Sequence, residues 1–237
     1  MRFETRFTYD FIRRSLPRNC RRILEIGCGT GELAARLSRD GCAVIAIDSD
    51  SDSIAAARKM GVDARVATWP DFDDGDFDAL LFTRSLHHLH PLDQVVKRAA
   101  DSLTDRGRAI VEDFAYESTD EKTLRWFAGA IRSLKAARLL IEPDELLSKA
   151  ETLKAWRRNH DPDLHTAPQI GAQLEKVFDH VIKENAPYYF RYLASAIVAT
   201  EKRNTILQAL AEEEATMARD GSIVPLGRRF IAMRNKS

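Results

Sequence analysis

Three glycines stand at alternate positions directly after a short apolar run near the start of the chain. The run is Ile23 to Ile26, and the glycines are Gly27, Gly29 and Gly31. Glycines at this spacing let the backbone bend sharply after a buried strand and bring its N–H groups close to a ligand at a helix N-terminus. The pattern therefore predicts a loop that binds a nucleotide-like cofactor.

Two acidic residues around this loop narrow the choice of ligand. A dinucleotide loop carries its third glycine where helix and strand pack closely, and its helix start faces a pyrophosphate. Here Glu32 occupies that position, and Glu25 precedes the first glycine by two residues. A carboxylate at Glu25 would repel a pyrophosphate, but it can pair with a cationic amine or sulfonium, or hold the loop through backbone N–H groups. The pattern favours a cationic ligand over a dinucleotide.

The motif Glu25-x-Gly27-x-Gly29-x-Gly31 closely resembles the first motif of class I S-adenosylmethionine-dependent methyltransferases. Downstream, Ala43 to Asp48 is similar to the second strand of that family, whose final acid would accept hydrogen bonds from both ribose hydroxyls. Asp48 follows the last loop glycine at a spacing close to the roughly twenty residues expected of a ribose-binding acid. The resemblance implies S-adenosylmethionine as the cofactor.

The resemblance also implies which side chains contact that cofactor. Thr68 stands where many relatives carry an aspartate that binds the adenine amino group, so its hydroxyl or the neighbouring Trp69 would have to substitute. Trp69 fits a plain packing role equally well. The expected cofactor-binding residues come from the glycine loop and the strand ends: Glu25, Gly27, Cys28, Gly29, Gly31, Asp48, Ser49, Thr68, Trp69 and Thr83.

Apolar runs alternate with helical patterns through the first half of the chain, which predicts βαβ units and a parallel sheet with helices on both faces. We expect an α/β protein with a Rossmann-like three-layer α/β/α sandwich, seven mostly parallel strands and an antiparallel last strand, in a single domain over residues 1–237. Ligands bind such sheets at the carboxyl ends of the strands. The predicted strands are 23–26, 43–48, 62–66, 77–82, 108–113, 181–184 and 223–234.

Three segments outside the sheet have helical patterns. Residues 1–20 form a predicted N-terminal helical segment, and residues 115–167 a predicted helical cap insertion. Residues 193–219 form a further helical insertion before the last strand, with two helices expected. Thr166 is predicted to cap a helix from Pro168 to Phe178, with proline near the start, where its missing N–H costs little.

His87 and His88, in the loop after the fourth strand, are the candidate catalytic residues. A neutral imidazole can take a proton from a hydroxyl or amine as the methyl group transfers. Alternatively, one histidine caps a helix and the other packs. A metal site that includes His90 is disfavoured, because three histidines at such close spacing rarely converge on one ion and no Asp or Cys partners stand at recognised spacing. We expect no metal.

Candidate acceptor contacts come from the same loop and from the second half of the chain: Arg84, His160, Tyr188 and Arg191. Arginine and tyrosines over a pocket would suit an aromatic or carboxylate-bearing acceptor. The same pattern would arise from polar residues in an ordinary loop and from aromatic residues that pack between the sheet and the cap. Strand alternation predicts that Glu112 and Asp113 diverge, one toward the pocket and the other toward a helix or solvent.

Composition limits the class of partner. Thirty-six basic and thirty-six acidic residues give zero formal net charge, so no global positive field would attract nucleic acid or an anionic membrane. Three cysteines, an odd number without paired spacing, suit a reducing cytosol. The N-terminus lacks the apolar core of a signal peptide, and no apolar run reaches the roughly eighteen residues of a membrane span. We expect a soluble cytoplasmic protein, monomeric or homodimeric.

The resemblance implies transfer of a methyl group to a small-molecule acceptor, at oxygen or nitrogen, by in-line displacement. Protein or RNA methylation is an alternative, although the neutral composition and the lack of an Asn-Pro-Pro-Tyr type tetrapeptide after the fourth strand count against base or glutamine methylation. Two alternatives lie outside this chemistry: a non-catalytic module that binds S-adenosylmethionine, and an NAD(P)-dependent oxidoreductase that tolerates Glu32 at the third glycine position.

Overall fold

The protein is built around one seven-stranded sheet with helices on both faces. The computed structural model describes residues 1–198 and 200–234. The strands are β1 (Arg22–Ile26), β2 (Ala43–Asp48), β3 (Asp63–Val66), β4 (Phe77–Thr83), β5 (Leu103–Phe114), β6 (His180–Ala186) and β7 (Gly227–Met233). Their order across the sheet is β3-β2-β1-β4-β5-β7-β6.

The sheet is parallel except at its last strand. β1 pairs in parallel with β2 and with β4. The β2–β3 and β4–β5 pairs are also parallel. β7 runs antiparallel to both of its neighbours, β5 and β6. The expected Rossmann-like α/β architecture is confirmed. The strand order reverses between β1 and β4, and the crevice outside the carboxyl ends at this point is where such sheets bind ligands.

The helices fall into three groups. Two groups cover the faces of the sheet: α1, α2 and α3 on one side, and α4 and α8 on the other. The third group forms its own apolar cluster beyond the sheet edge, from α5, α7, α9, α10 and the start of α1. The bounds are α1 (Phe3–Ser15), α2 (Glu32–Arg39), α3 (Ser51–Lys59), α4 (Leu92–Asp101), α5 (Glu121–Ala136), α6 (Pro143–Ala150), α7 (Leu153–Arg158), α8 (Ala167–Val177), α9 (Tyr189–Ala194) and α10 (Arg203–Arg219).

The capping prediction for α8 is confirmed. Thr166 accepts a hydrogen bond from the backbone N–H of Gln169, whose side-chain oxygen accepts one from the backbone N–H of Thr166. This reciprocal arrangement satisfies two donors that the first turn of a helix leaves free. α8 begins at Ala167, with Pro168 in its first turn.

The segment 193–219 differs from its prediction. Residue 199 lies outside the described residues. The rest of the segment holds the end of α9 and one long helix, α10, where the pattern suggested two helices. α10 contains no glycine or proline over its seventeen residues, so nothing interrupts it. The last strand begins only at Gly227, because Pro225 has no N–H to donate to a sheet.

None of the helices within 1–198 and 200–234 combines the length and the apolar character that crossing a membrane requires.

Candidate active site

Directly after β1, the glycine loop is hydrogen-bonded to the end of the neighbouring strand, β2. The backbone N–H groups of Gly27 and Cys28 both donate to the carbonyl of Ile47, at 2.9 and 3.1 Å. Gly27 has φ +74°, and a Cβ on it would lie 2.5 Å from the Cβ of Ser85. A side chain at this position would therefore collide with the loop after β4. Glycine is required for the two loops to meet.

The third glycine serves packing. Gly31 has φ +77°, and a Cβ there would lie 2.6 Å from the Cβ of Ala57 on α3. The start of α2 can approach α3 only because this side chain is missing.

A cavity of about 220 Å³ opens over the loop. It is lined by the loop itself, by the ends of β1 and β4, and by the first residues of the chain: Arg2, Thr5, Thr8, Glu25, Gly27, Cys28, Gly29, Thr30, Glu32, Leu33, Thr83 and Arg84. We call it the loop cavity. The structure thus brings together Glu25, Thr83 and three residues of the predicted loop around one space.

Glu25 is the buried acid of the loop cavity, with only 2% of its surface exposed. Its Oε1 accepts a hydrogen bond from the hydroxyl of Thr83 at 3.3 Å, while Oε2 is buried without a partner. Burial raises the pKa of this carboxyl to about 7. A buried carboxylate oxygen without a partner is costly unless a donor reaches it. A cationic ligand in the cavity would supply that donor.

Asp48 holds the loop from the neighbouring strand end. Its Oδ2 accepts a hydrogen bond from the N–H of Gly29 at 2.8 Å, and its Oδ1 accepts one from the N–H of Asp50 at 3.0 Å. Each carboxylate oxygen keeps a free lone pair for a further donor. Ser49 next to it is exposed, and so is Thr68, whose hydroxyl donates to Asp71 at 3.2 Å.

Trp69 lies in the core of the sheet, 5% exposed, and does not line the loop cavity. Its indole packs edge-on against Phe82, and its Nε1–H donates to the carbonyl of Val95 at 3.2 Å. The packing interpretation describes this position, since the indole N–H already has a buried partner.

A second cavity, of about 430 Å³, adjoins the first. Three residues line both: Arg2, Thr5 and Arg84. We call it the aromatic cavity, since rings form much of its wall. It is lined by Arg2, Glu4, Thr5, Arg84, Phe114, Asn159, His160, Tyr188, Arg191, Tyr192 and Ala194. All four predicted acceptor contacts, Arg84, His160, Tyr188 and Arg191, are among them.

The N-terminal helix closes the junction of the two cavities, which the sequence pattern did not predict. Arg2 and Thr5 both bind Glu32 at the start of α2: Arg2 Nη2 lies 2.9 Å from Oε1, and the Thr5 hydroxyl donates to Oε2 at 2.6 Å. Glu32, which replaces a dinucleotide glycine, thus anchors α1 over the loop. No motif marks this contact, because it joins positions 27 and 30 residues apart.

Glu112 is buried beside the cavities, and all its acceptor capacity is used. Its Oε1 accepts hydrogen bonds from the Thr8 hydroxyl and Arg191 Nη2, both at 2.6 Å. Its Oε2 accepts two from Arg229, at 2.9 and 2.5 Å. Although burial raises its pKa, Arg191 and Arg229 lower it to about 2. Glu112 and Asp113 diverge to different partners, Glu112 to α1 and α9 and Asp113 to His87, and neither faces solvent because both are buried.

His87 and Asp113 form a buried pair. The Oδ1 of Asp113 accepts a hydrogen bond from the backbone N–H of Phe114 and lies 2.7 Å from His87 Nδ1. An accepting oxygen requires Nδ1 to donate, so Nε2 is the basic nitrogen of the neutral ring. His88 is exposed, with its ring 4.1 Å from that of His87. Burial, followed by the neighbouring His87, lowers the pKa of His88.

His160 faces the aromatic cavity with its ring orientation fixed on both sides. Its Nδ1 lies 2.8 Å from the carbonyl oxygen of Trp156, which can only accept, so Nδ1 carries the proton. Its Nε2 therefore accepts from the hydroxyl of Tyr192 at 2.9 Å. Burial lowers the pKa of His160, which favours the neutral ring. The sequence pattern named His160 but not Tyr192.

No group of three or more His, Cys, Asp or Glu side chains in the described part of the chain is arranged to hold a metal ion.

Comparison with known proteins points to one reaction. Residues 24–111 match the family model described as a methyltransferase domain. A Ubiquinone biosynthesis O-methyltransferase of Xylella fastidiosa is 32% identical over 180 residues, which is 70% of this chain and 70% of that protein. A protein of Staphylococcus carnosus named an uncharacterized methyltransferase is 34% identical over 105 residues, 43% of this chain; the match spans about half, 51%, of that relative.

A solved structure has the same fold. The chain resembles a SAM dependent methyltransferase from Archaeoglobus fulgidus with a TM-score of 0.57 and 17% sequence identity, over 96% of this chain and 93% of that one.

Removing the negative charge of Glu112 should destabilise the protein and change its response to acid. Glu112→Gln leaves two buried guanidinium groups without a counter-ion, which costs about 3–5 kcal/mol. Because the folded-state pKa is about 2 and the ordinary value 4.5, the wild-type stabilisation by Glu112 is complete above pH 4.5 and is lost as the pH falls toward 2. Urea unfolding between pH 3 and pH 7 measures both effects.

Glu145→Gln is the matched control, since Glu145 forms an exposed pair with Lys149. It should stay close to wild type at every pH. A Glu112→Gln variant as stable as this control would contradict the central role of the carboxylate.

Cofactor binding should depend on the ionisation of Glu25. With its pKa raised to about 7, the carboxyl is mostly protonated at pH 6 and pairs with an ammonium only after it loses its proton. The affinity for S-adenosylhomocysteine should therefore rise by up to about tenfold per pH unit below pH 7 and level off above it. Calorimetric titration from pH 5.5 to 7.5 keeps the ligand's amino group charged.

Glu25→Gln preserves the size of the side chain and its contact with Thr83. It should bind more weakly than wild type at pH 7.5 and show no rise with pH. The same pH dependence in wild type and variant would show that another group titrates.

Proposed function

The chain belongs to the S-adenosylmethionine-dependent methyltransferases, and we propose that it methylates an oxygen or nitrogen atom of a small-molecule acceptor. The observation that carries this proposal is the aromatic cavity of about 430 Å³, which meets the loop cavity at Arg84. A volume of this order matches a small organic molecule. The name of the Xylella relative, an O-methyltransferase, supports oxygen as the acceptor atom.

The loop cavity fits the cofactor that the family uses. Its buried Glu25 has a carboxylate oxygen without a partner, suited to the ammonium of the methionine half, and Thr83 holds the other oxygen. Asp48 keeps free lone pairs for the ribose hydroxyls. Gly27 and Gly29 keep the loop free of side chains. The cofactor supplies a methyl group on a positively charged sulfur.

Cys28 lines the same cavity as these groups. For Ser49, Thr68 and Trp69, cofactor contact remains a proposal from the family resemblance alone.

The chain's own contribution is positioning and exclusion of water. A sulfonium methyl group is already activated, so aligning the acceptor in the line of transfer supplies much of the acceleration. We propose that segments 115–167 and 193–219 form the cap over the acceptor. α9 and its neighbours bring Tyr188 and Tyr192 onto the aromatic cavity, and His160 reaches it from the end of α7.

A histidine takes the acceptor proton in this proposal. His87 and His88 are the first candidates: Asp113 orients His87 so that Nε2 is basic, and His88 lies against it. His160 is a second candidate, because it lines the aromatic cavity and the Trp156 carbonyl fixes its proton on Nδ1. Tyr192 can relay this proton: its hydroxyl takes the proton of the acceptor while its own proton passes to His160 Nε2. The tyrosine therefore stays neutral throughout.

Family membership favours methyl transfer over the hydride transfer of an NAD(P)-dependent oxidoreductase and over a non-catalytic binding module. Protein or RNA methylation remains the closest rival. The aromatic wall of the cavity and the zero formal net charge favour a small acceptor over a macromolecule that needs a basic groove.

A cytoplasmic location is proposed on the three cysteines, all present as free thiols. A monomeric or homodimeric state is likewise a proposal, from the sequence alone.

The acceptor class is tested by measuring S-adenosylhomocysteine formation with a panel of small hydroxylated and aminated aromatic and aliphatic compounds, with mixed protein and with tRNA. We expect turnover with small molecules alone. Asp48→Ala and Gly29→Val serve as controls that should lose cofactor affinity and turnover together. Methyl transfer confined to protein or RNA would overturn the proposal, and cofactor affinity unaltered in both controls would contradict the assigned cofactor site.

Replacing the proton-accepting histidine should lower kcat by about 10²–10⁴-fold while cofactor affinity stays within a few-fold of wild type. The variants are His87→Gln, His88→Ala and His160→Gln. Since burial lowers the pKa of His88 and His160, a rate that depends on either should hold down to a pH below 6.5 before it falls. In the variant that lacks the base, the remaining rate should no longer fall as the pH is lowered through this range. Unchanged kcat in all three variants would reject a histidine base.

A further inference from the structure

Arg84 carries a charge that the described structure leaves without a hydrogen-bond partner. Its guanidinium makes no hydrogen bond to any described residue, and its one ion-pair contact is Arg84 Nη1 to Glu112 Oε1 at 3.7 Å. The side chain is 41% exposed and lines both cavities at their junction. A guanidinium has five N–H donors in a fixed fork, so this group is available for a ligand.

Glu112 cannot supply the missing partner. Its two oxygens already accept four hydrogen bonds, from Thr8, Arg191 and twice from Arg229, which fills the lone pairs of a carboxylate. Three guanidinium groups therefore surround one negative charge. Only Arg191 and Arg229 hydrogen-bond to it, and Arg84 does not.

Two other carboxylates that line this region are also engaged. Glu4 accepts two hydrogen bonds from Arg203, at 2.8 and 3.2 Å, and Glu32 is held by Arg2 and Thr5. Neither of these acids is thus free to move onto Arg84. Glu25, which also lines the loop cavity, has one oxygen without a partner but makes no hydrogen bond to Arg84. The donors of Arg84 therefore stay open to the carboxylate of a ligand.

The backbone fixes Arg84 at this place. Its φ is +62°, the left-handed region that a residue with a side chain occupies at a cost of about 1–2 kcal/mol. Its N–H donates to the carbonyl of Glu112 at 2.7 Å, which ties the loop to β5. Strained residues cluster at ligand-binding positions, where the surrounding structure maintains them.

Neutral rings form one wall of the aromatic cavity. Phe114 stacks with Tyr188 at 5.1 Å between ring centroids, and His160 stacks on Tyr116 at 4.5 Å. Burial raises the pKa of Tyr188 and lowers that of His160, so both are neutral near pH 7. This wall suits a planar body and leaves the charged interaction to arginine.

We propose that the acceptor is a planar carboxylic acid whose carboxylate binds the guanidinium fork of Arg84, with Arg191 behind it adding to the positive potential. This inference rests on the proposed function. Carboxylate geometry matches the fork in a bidentate way, which makes such a pair stronger than a single neutral hydrogen bond. The planar body of the acceptor lies along the wall that includes Tyr188, Tyr192 and His160.

The donor's own carboxylate is the other anion that could reach this junction, and the experiment separates the two. Wild type saturated with S-adenosylhomocysteine is titrated calorimetrically with matched acids and amides: 4-hydroxybenzoate and 4-hydroxybenzamide, 4-coumarate and 4-coumaramide, 4-aminobenzoate and 4-aminobenzamide. At least one acid should bind about tenfold or more tightly than its amide. Arg84→Gln should reduce this preference to parity, and Arg84→Lys should keep part of it.

Arg6→Gln is the matched control, an arginine on α1 that contacts Gln208 and lines neither cavity. It should keep the full preference for the acid. Equal binding of acid and amide by wild type in all three pairs would overturn the proposal. So would an Arg84→Gln variant that loses affinity for S-adenosylhomocysteine while it keeps the preference for the acid.

A turnover assay distinguishes failure of this inference from failure of the function it rests on. Methyl transfer to neutral small molecules in preference to acids would overturn the carboxylate and leave the small-molecule function standing. Transfer to protein or RNA alone would overturn both.

Discussion

The buried carboxylate of Glu112 is the interaction on which the arrangement of the site depends. It lies near the end of β5, in the middle of the sheet, and binds Thr8 of α1, Arg191 of α9 and Arg229 of β7. One negative charge thus joins the N-terminal helix, α9 and the antiparallel strand. Taking such a charge out of water is unfavourable unless every lone pair is used, and here each one accepts a hydrogen bond.

The same interaction sets the charge of the aromatic cavity. Because Glu112 is saturated by two arginines and a threonine, the third arginine nearby, Arg84, keeps its fork free. One further acidic residue next to Arg84 would have given its guanidinium a hydrogen-bonded partner. The chain instead holds Arg84 in a left-handed backbone conformation at the junction of the two cavities. Arg84, with its guanidinium fork free, and Glu25, with one carboxylate oxygen unpartnered, line the same cavity. In our proposal Glu25 binds the amino group of the cofactor and Arg84 binds an anionic acceptor.

Much of the cofactor half could be predicted from the sequence because it is local. The glycine spacing follows from backbone sterics within five residues, and the strand before it is apolar except at Arg22 and Glu25. The parallel sheet followed from alternating apolar runs, and its strand order reverses where ligands were expected. Trp69 shows where local sequence patterns stop being sufficient. A position directly after a strand suits either a cofactor contact or a core residue. Only the contacts of the indole with Phe82 and with the Val95 carbonyl favour the core.

The sequence by itself determined the fold class, the family and the glycine loop for which we propose the methyl donor, since each depends on residue types at short, fixed spacing. Only the tertiary structure decided which charges remain unpaired. Thr8, Glu112, Arg191 and Arg229 are separated by up to 221 positions, from 8 to 229, yet they saturate one carboxylate. Hydrogen-bond saturation is a property of geometry in three dimensions, so no pattern along the chain could show that Arg84 is the arginine left free.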